Sequence, residues 1–144
     1  MKTSMLIGGV AAVALASIGL AQGEKKASSK EVLYVSADET TFKPAFPGVS
    51  IATVWGDPEK GAHGAFHKFD PGFDAGMHTH TNTLTLVVIK GAYLYRDEAG
   101  EKRVGVGGFI RIPGGHKHWS GGDKAEGALI YEESNGKFDK IDVK

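Results

Sequence analysis

Residues 72–80, GFDAGMHTH, and residues 107–118, GGFIRIPGGHKH, decide the expected fold of this chain. Each stretch ends in two histidines separated by one residue, His78 and His80 in the first and His116 and His118 in the second. Residues two apart on a β-strand project from the same face, with Cα atoms about 6–7 Å apart. Two such imidazoles can bind one metal ion, so the spacing predicts a histidine site on a sheet.

The rest of the chain predicts short β-strands joined by glycine-rich turns. Strands are expected at residues 31–36, 50–55, 64–70, 83–89, 92–97, 108–113 and 128–134, with one helical turn at most near residues 37–43. The sequence holds 21 glycines and no long helical period or internal repeat. Many short strands with dense turn signals are typical of a β-sandwich or barrel. The expected fold class is therefore all-β.

The first histidine pair lies in a pattern that resembles the cupins, a superfamily of small β-barrels. The first cupin motif reads G-(x)5-H-x-H-(x)3,4-E-(x)6-G. Gly72, His78, His80 and Gly91 match it, whereas Leu84 stands at the glutamate position. Residues 78–86 are expected to alternate along one strand, which would put Leu84 on the face of the histidines.

The second cupin motif, G-(x)5-P-x-G-(x)2-H-(x)3-N, follows at compatible spacing. Gly107, Pro113, Gly115 and His118 match it, and Gly122 takes the closing asparagine position. Together the motifs cover residues 72–122. The resemblance implies a jelly-roll barrel, or double-stranded β-helix, in which His78, His80 and His118 bind one divalent metal ion. Imidazole ligands suit Fe, Zn, Mn, Ni or Cu alike, so the residues do not distinguish these metals.

The missing motif glutamate leaves three hypotheses open. Three histidines alone hold the metal, which leaves positions for water and substrate. Alternatively a further ligand comes from elsewhere, with Glu132, Glu133 and His116 as candidates. In the third hypothesis the metal site is lost and the barrel is a scaffold.

Several other residues are candidates for the surroundings of the metal or for the pocket: His116, Asn82, Leu84, Thr85, Met77 and Trp119. His63 is expected at the surface or in a loop, and His67 is expected to have a structural role. A set of apolar side chains is expected in the barrel core: Phe66, Phe69, Leu84, Leu86, Val88, Phe109 and Ile112.

The N-terminus predicts a secretory signal. Residues 1–21 combine Lys2, an uncharged apolar run and small residues at Gly19 and Ala21, with cleavage expected before Gln22. The run is too short and too rich in glycine and alanine to favour a membrane anchor. Residues 22–30 are then a flexible leader, and residues 31–144 form the single cupin barrel domain. The expected location is secreted or periplasmic.

Composition excludes some classes of partner. Basic and acidic residues number 17 each, which argues against nucleic acid as a partner. No cysteine is present, so a transition metal would depend on histidine and carboxylate ligands. The resemblance also implies pairing of two copies through barrel edges.

Two functions of different classes follow from these expectations. The first is a metal-dependent enzyme, of the iron dioxygenase type, acting on a small oxygenated metabolite. The second is a non-enzymatic module that binds or senses a small ligand. No separate general base or nucleophile stands out, so the sequence assigns no catalytic residue and leaves the choice between enzyme and binding module open.

Overall fold

A computed structural model of the protein describes residues 31–143. The predicted signal peptide and leader lie outside the described residues. One 3-10 turn, Ala37–Glu39, falls where a helical turn was expected. The strands follow in order: β1 Lys43–Phe46, β2 Val49–Gly56, β3 His63–Phe69, β4 Asp74–Thr79, β5 Leu84–Asp97, β6 Gly100–Gly105, β7 Phe109–Ile112, β8 His118–Gly122, β9 Ala128–Ser134 and β10 Ile141–Asp142. In this part of the chain no helix has the length and apolar character that a membrane crossing requires.

The strands form a curled, wholly antiparallel sheet. Its order is β1-β2-β3-β9-β5-β8-β4-β10, and β6 and β7 also pair with β5. This architecture confirms the all-β cupin barrel expected from the sequence. The pairing of β4 with β8 sets His78 directly opposite His118 and Met77 opposite Trp119. The two motif segments therefore meet side by side.

Strand β5 links the two walls of the barrel. Its first half, Leu84 to Gly91, pairs with β9, and its second half pairs with β6 and β8. Gly91 has a φ of 65° and lies against the backbone of Gly127, where a side chain would collide. The strand therefore turns from one wall to the other at a residue that has to be glycine.

The core follows the alternation of β5. Leu84, Leu86 and Val88 are buried, whereas Val87 and Ile89 are exposed on the opposite face. These buried residues face side chains from both walls, and the central cluster consists of Val49, Phe69, Leu86, Val88, Tyr93, Tyr95, Ile112, Ala128 and Ile130. The expected core positions are confirmed except for Phe109, which is 64% exposed.

The structure corrects several local predictions. Residues 31–36 form no strand, and residues 83–89 and 92–97 belong to the single strand β5. Residues 80–83 lie outside the strands, so residues 78–86 do not form one continuous strand face as expected. No strand range was expected for β1, β4, β6, β8 or β10, although the histidine spacing itself indicated a strand at His78, because proline, glycine and charged residues mask these short runs.

Candidate metal centre

The candidate site consists of three buried histidines. His78 lies on β4, His80 just after that strand ends, and His118 at the start of β8. One imidazole nitrogen from each lies within 4.8 Å of the other two. The ring centroids of His78 and His118 are 4.3 Å apart, and those of His78 and His80 are 4.9 Å apart. The structure therefore brings together the three predicted ligands in a group that could hold a metal ion.

The hydrogen bonds of the three rings define which nitrogen is available. The Nδ1 atom of His78 contacts the carbonyl oxygen of Gly76 at 2.9 Å, and that of His118 contacts the carbonyl of His116 at 3.0 Å. His80 Nδ1 contacts the carbonyl of Asp139. A carbonyl oxygen only accepts, so Nδ1 carries the proton in all three rings and Nε2 keeps its lone pair. In metal-binding histidines, the ring nitrogen that does not bind the metal commonly donates such a hydrogen bond, which fixes the tautomer and the orientation of the ring.

The residues fit a metal ion by two further criteria. The Nε2 atom of His118 is buried and has no hydrogen-bond partner among the described residues, an arrangement that normally costs free energy. Burial lowers the pKa of His78 and His80 and lowers that of His118 to about 4. All three rings are therefore neutral near pH 7, as metal binding requires.

A C-terminal segment supports His80 from outside the sheet. We call residues 135–140, between β9 and β10, the C-terminal strap. The carboxylate of Asp139 accepts hydrogen bonds from the backbone N–H of Thr81 at 2.8 Å and from the hydroxyl of Thr81 at 2.5 Å. The ring of Phe138 packs against His80 with centroids 5.5 Å apart. The strap therefore fixes both the tautomer and the position of one candidate ligand.

A small cavity of about 40 Å³ lies beside the histidines. Leu84 lines it together with His78 and His80, so the residue at the motif-glutamate position does point toward the site. A leucine cannot bind a metal ion. The carboxylate of an ordinary cupin site is therefore missing from this position.

Glu132 brings a carboxyl group to the same cavity from β9. Its side chain is 6% exposed, and its Oε1 atom lies 3.6 Å from Nε2 of His67, too far for a hydrogen bond. Glu132 does not belong to the group of mutually close ligand atoms. Glu133, the other acidic candidate, lies on the outer face of β9, where its carboxylate accepts a hydrogen bond from Tyr131.

Burial controls the charge of the Glu132–His67 pair. It raises the pKa of Glu132 to about 8 and lowers the pKa of His67 to about 3. Both groups are therefore neutral near pH 7, although their separation would suit an ion pair. His67 and its neighbour His63 are 4% and 1% exposed, so the expected surface position of His63 is wrong.

His116 contributes through its backbone rather than through its ring. Its exposed imidazole lies 3.0 Å from the Asp97 carboxylate, which also accepts a hydrogen bond from the Tyr95 hydroxyl at 2.8 Å. Tyr95 in turn stacks on His118, with the two planes 19° apart. These contacts hold His118 in place, and sequence reasoning missed the part played by Tyr95 and Asp97.

The other candidate pocket residues, Asn82, Thr85, Met77 and Trp119, are not among those that line the cavity beside the histidines. Asn82 donates a hydrogen bond to the carbonyl of Lys137 in the strap. Thr85 lines a shallow outer depression with Glu133 and its neighbours. Met77 is 37% exposed, and Trp119, its partner across the strands, donates to the Asp74 carboxylate at 2.6 Å.

The sequence offered no signal for the strap residues Phe138 and Asp139. They lie outside the two motifs, and their contacts with the site join residues more than 50 positions apart. The inward direction of Glu132 was foreseeable in part, because β9 alternates and the buried apolar residues Ala128 and Ile130 share its parity.

Comparisons with known proteins agree with this fold. Among solved structures, the chain is similar to KdgF from Halomonas sp., with 22% identity, a TM-score of 0.58 and coverage of 69% of this chain and 92% of that one. It is similar to the polyketide cyclase RemF from Streptomyces resistomycificus, with 15% identity, a TM-score of 0.65 and coverage of 79% and 87%. It is also similar to an RmlC-like cupin from Shewanella frigidimarina NCIMB 400, with 17% identity, a TM-score of 0.58 and coverage of 73% of this chain and 92% of that one.

At these identities the likeness shows the cupin fold alone. A comparison with proteins of curated function gave no match. The model of one family, described as a domain of unknown function, DUF4437, matches residues 46–142. That range includes all three histidines, the cavity and the strap. The chain thus belongs to DUF4437, a cupin-like family.

Proposed function

We propose that this protein is a secreted metal-binding cupin that holds one divalent ion through Nε2 of His78, His80 and His118. The observation that carries the proposal is the common arrangement of the three rings. Each Nδ1 contacts a backbone carbonyl, and the buried Nε2 of His118 has no partner in the described chain. Three neutral donors turned toward one point are the ligand set that such an ion requires.

The proposed activity is that of a metal-dependent enzyme, of the oxygenase type, on a small oxygenated metabolite. A bound ion with open positions would supply Lewis acidity, and iron would add dioxygen chemistry. The three histidines carry no charge to offset the ion, which favours an anionic ligand. The chain's own residues position the ligands, and Leu84, Phe73 and Phe138 give the cavity an apolar lining.

The alternative function is a non-enzymatic module for a small ligand. The small volume of the cavity supports this second candidate, because it limits what can reach the histidines. Oxygen consumption separates the two. The iron-loaded protein is assayed with a panel of diketones, phenols and thiols, and turnover with any of them supports the enzyme, whereas binding without turnover supports the module.

Metal analysis of the purified protein tests the shared part of the proposal. We expect about one equivalent of divalent metal in the wild type and almost none in the double variant His78→Ala, His80→Ala. Glu133→Gln is the control, because Glu133 is the other acidic candidate ligand and lies on the outer face of β9. Equal metal content in the wild type and the double variant would refute the proposal.

A further inference from the structure

Glu132 is a buried carboxyl group that neither the fold nor the proposed metal site explains. It lies at the centre of β9, with Ala65 of β3 on one side and Leu86 of β5 on the other. Its Oε1 atom has no hydrogen-bond partner among the described residues. A buried polar atom without a partner costs about 1–3 kcal/mol, so its presence calls for a role.

Among residues 31–143, and without a bound metal ion, no free cation faces Glu132 to pair with an ionised carboxylate deep in the barrel. The facing groups come from every neighbouring element: His63 and His67 of β3, His78 of β4 and His80 just after it, Tyr93 of β5, Ser120 of β8 and Lys140 at the end of the strap. The histidines that show a shift, His67, His78 and His80, have lowered pKa values. Lys140 is paired with Asp142. The environment therefore favours the neutral acid, which is a hydrogen-bond donor.

The cavity connects this donor with the metal-binding face. Glu132, His78 and His80 all line the same space of about 40 Å³. One water needs on the order of 10–15 Å³ by this kind of measure, so the space holds roughly three atoms of water size. A carboxylate group, with one carbon and two oxygens, has that size.

We propose that Glu132 is the second binding group of this cavity, donating a hydrogen bond to one oxygen of a small carboxylate or enolate ligand whose other oxygen faces His78 and His80. This inference rests on the proposed metal site and names its ligand class. The charge of the ion attracts the anion, and the bound anion in turn offsets that charge and accepts the proton of Glu132 in a hydrogen bond, so the acid form is favoured in the complex. Leu84, in the place of the motif glutamate, leaves that attraction undiminished.

Acetate binding to the cobalt-loaded protein tests the inference through the visible absorption of the ion. Four proteins are compared: wild type, Glu132→Leu, Glu132→Gln and the control Glu133→Gln, which changes an outward-facing neighbour on the same strand. At pH 7, Glu132→Leu should weaken acetate binding about 10-fold or more, the loss expected for a hydrogen bond to a charged group. Glu132→Gln, which keeps a donor, and Glu133→Gln should stay within about 3-fold of the wild type.

The pH profile provides a second readout that does not depend on the leucine variant folding. Above the pH at which Glu132 ionises in the loaded protein, the wild-type affinity should fall relative to Glu132→Gln by about 10-fold per pH unit, because the acid that binds the anion is lost. Deprotonation of metal-bound water affects both proteins and cancels in their ratio.

The outcomes separate this inference from the proposed function. A cobalt-loaded wild type that binds acetate no better than Glu132→Leu refutes the role of Glu132 and leaves the metal site standing. A ratio of acetate affinities between the wild type and Glu132→Gln that stays constant from pH 6 to 9 likewise refutes the role of Glu132 and leaves the metal site standing. A wild type that takes up no cobalt refutes both proposals together.

Discussion

The protonation of Glu132 leads to a prediction about stability that needs no ligand. In metal-free protein, Glu132→Gln should remove a pH dependence that the wild type shows between pH 6.5 and 8. A carboxyl whose pKa rises from 4.5 to about 8 on folding keeps a proton that the unfolded chain has lost. The native state then binds more protons, so the free energy of unfolding falls as pH rises.

The size of the effect follows from the pKa shift. Each pH unit in this window changes the free energy of unfolding by about 1.36 kcal/mol. From pH 6.5 to 8 the wild type should lose about 2 kcal/mol relative to Glu132→Gln. The window lies above the ordinary histidine pKa of 6.5, and burial lowers the pKa of His67 and His118 further, so these rings are mostly neutral in both states.

Urea denaturation at several pH values, with a chelator present, measures the difference. Glu133→Gln serves as the control, because its carboxylate is on the outer face and bonded to Tyr131; its curve should run parallel to that of the wild type. A difference between wild type and Glu132→Gln that stays constant across the window would show that Glu132 is ionised in the native state, and the reasoning about its role as a donor would fail with it.

Four further outcomes are expected. Leu84→Glu should lower the melting temperature of the metal-free protein, because it buries a charge, and should tighten divalent-metal binding by about 10-fold or more, measured by calorimetry against Leu84→Met. Asp139→Asn should cost about 1 kcal/mol in urea denaturation and weaken metal binding through its contacts with Thr81, whereas Glu101→Gln should change neither. Metal content after gel filtration with a chelator should fall as pH drops from 6.5 toward 4, since protons compete for the imidazoles as pH approaches their lowered pKa values; full retention at pH 4 would contradict this. N-terminal sequencing of the exported protein should begin at Gln22, and an intact Met1 would refute the predicted cleavage.

The two motifs made the barrel and the three histidines predictable from sequence. Glycine, proline and histidine at fixed spacing report local backbone geometry and ligand direction, and these are short-range properties. Strand β5 was split in prediction because Gly91 carries a turn signal. The continuity of β5 through Gly91 becomes visible only in the sheet, where its first half pairs with β9 and its second half pairs with β8.

The missed features depend on long-range packing. His63 follows a turn-like sequence, yet β3 is buried between β2 and β9, and its Nδ1 contacts the carbonyl of Gly61. Phe138 and Asp139 have no periodicity to mark them, because their partners, His80 and Thr81, lie more than 50 positions away in the chain. The neutral state of Glu132 likewise follows from surroundings that no local pattern encodes.

The strap also sets an order of events during synthesis. His78, His80 and His118 all leave the ribosome before Asp139, whose carbonyl fixes the tautomer of His80 across 59 positions. A nascent chain that ends short of this residue holds three imidazoles but leaves one of them free to rotate and to present the wrong nitrogen. Capture of the proposed ion would thus become efficient only once Asp139 has left the ribosome and its carbonyl has met His80.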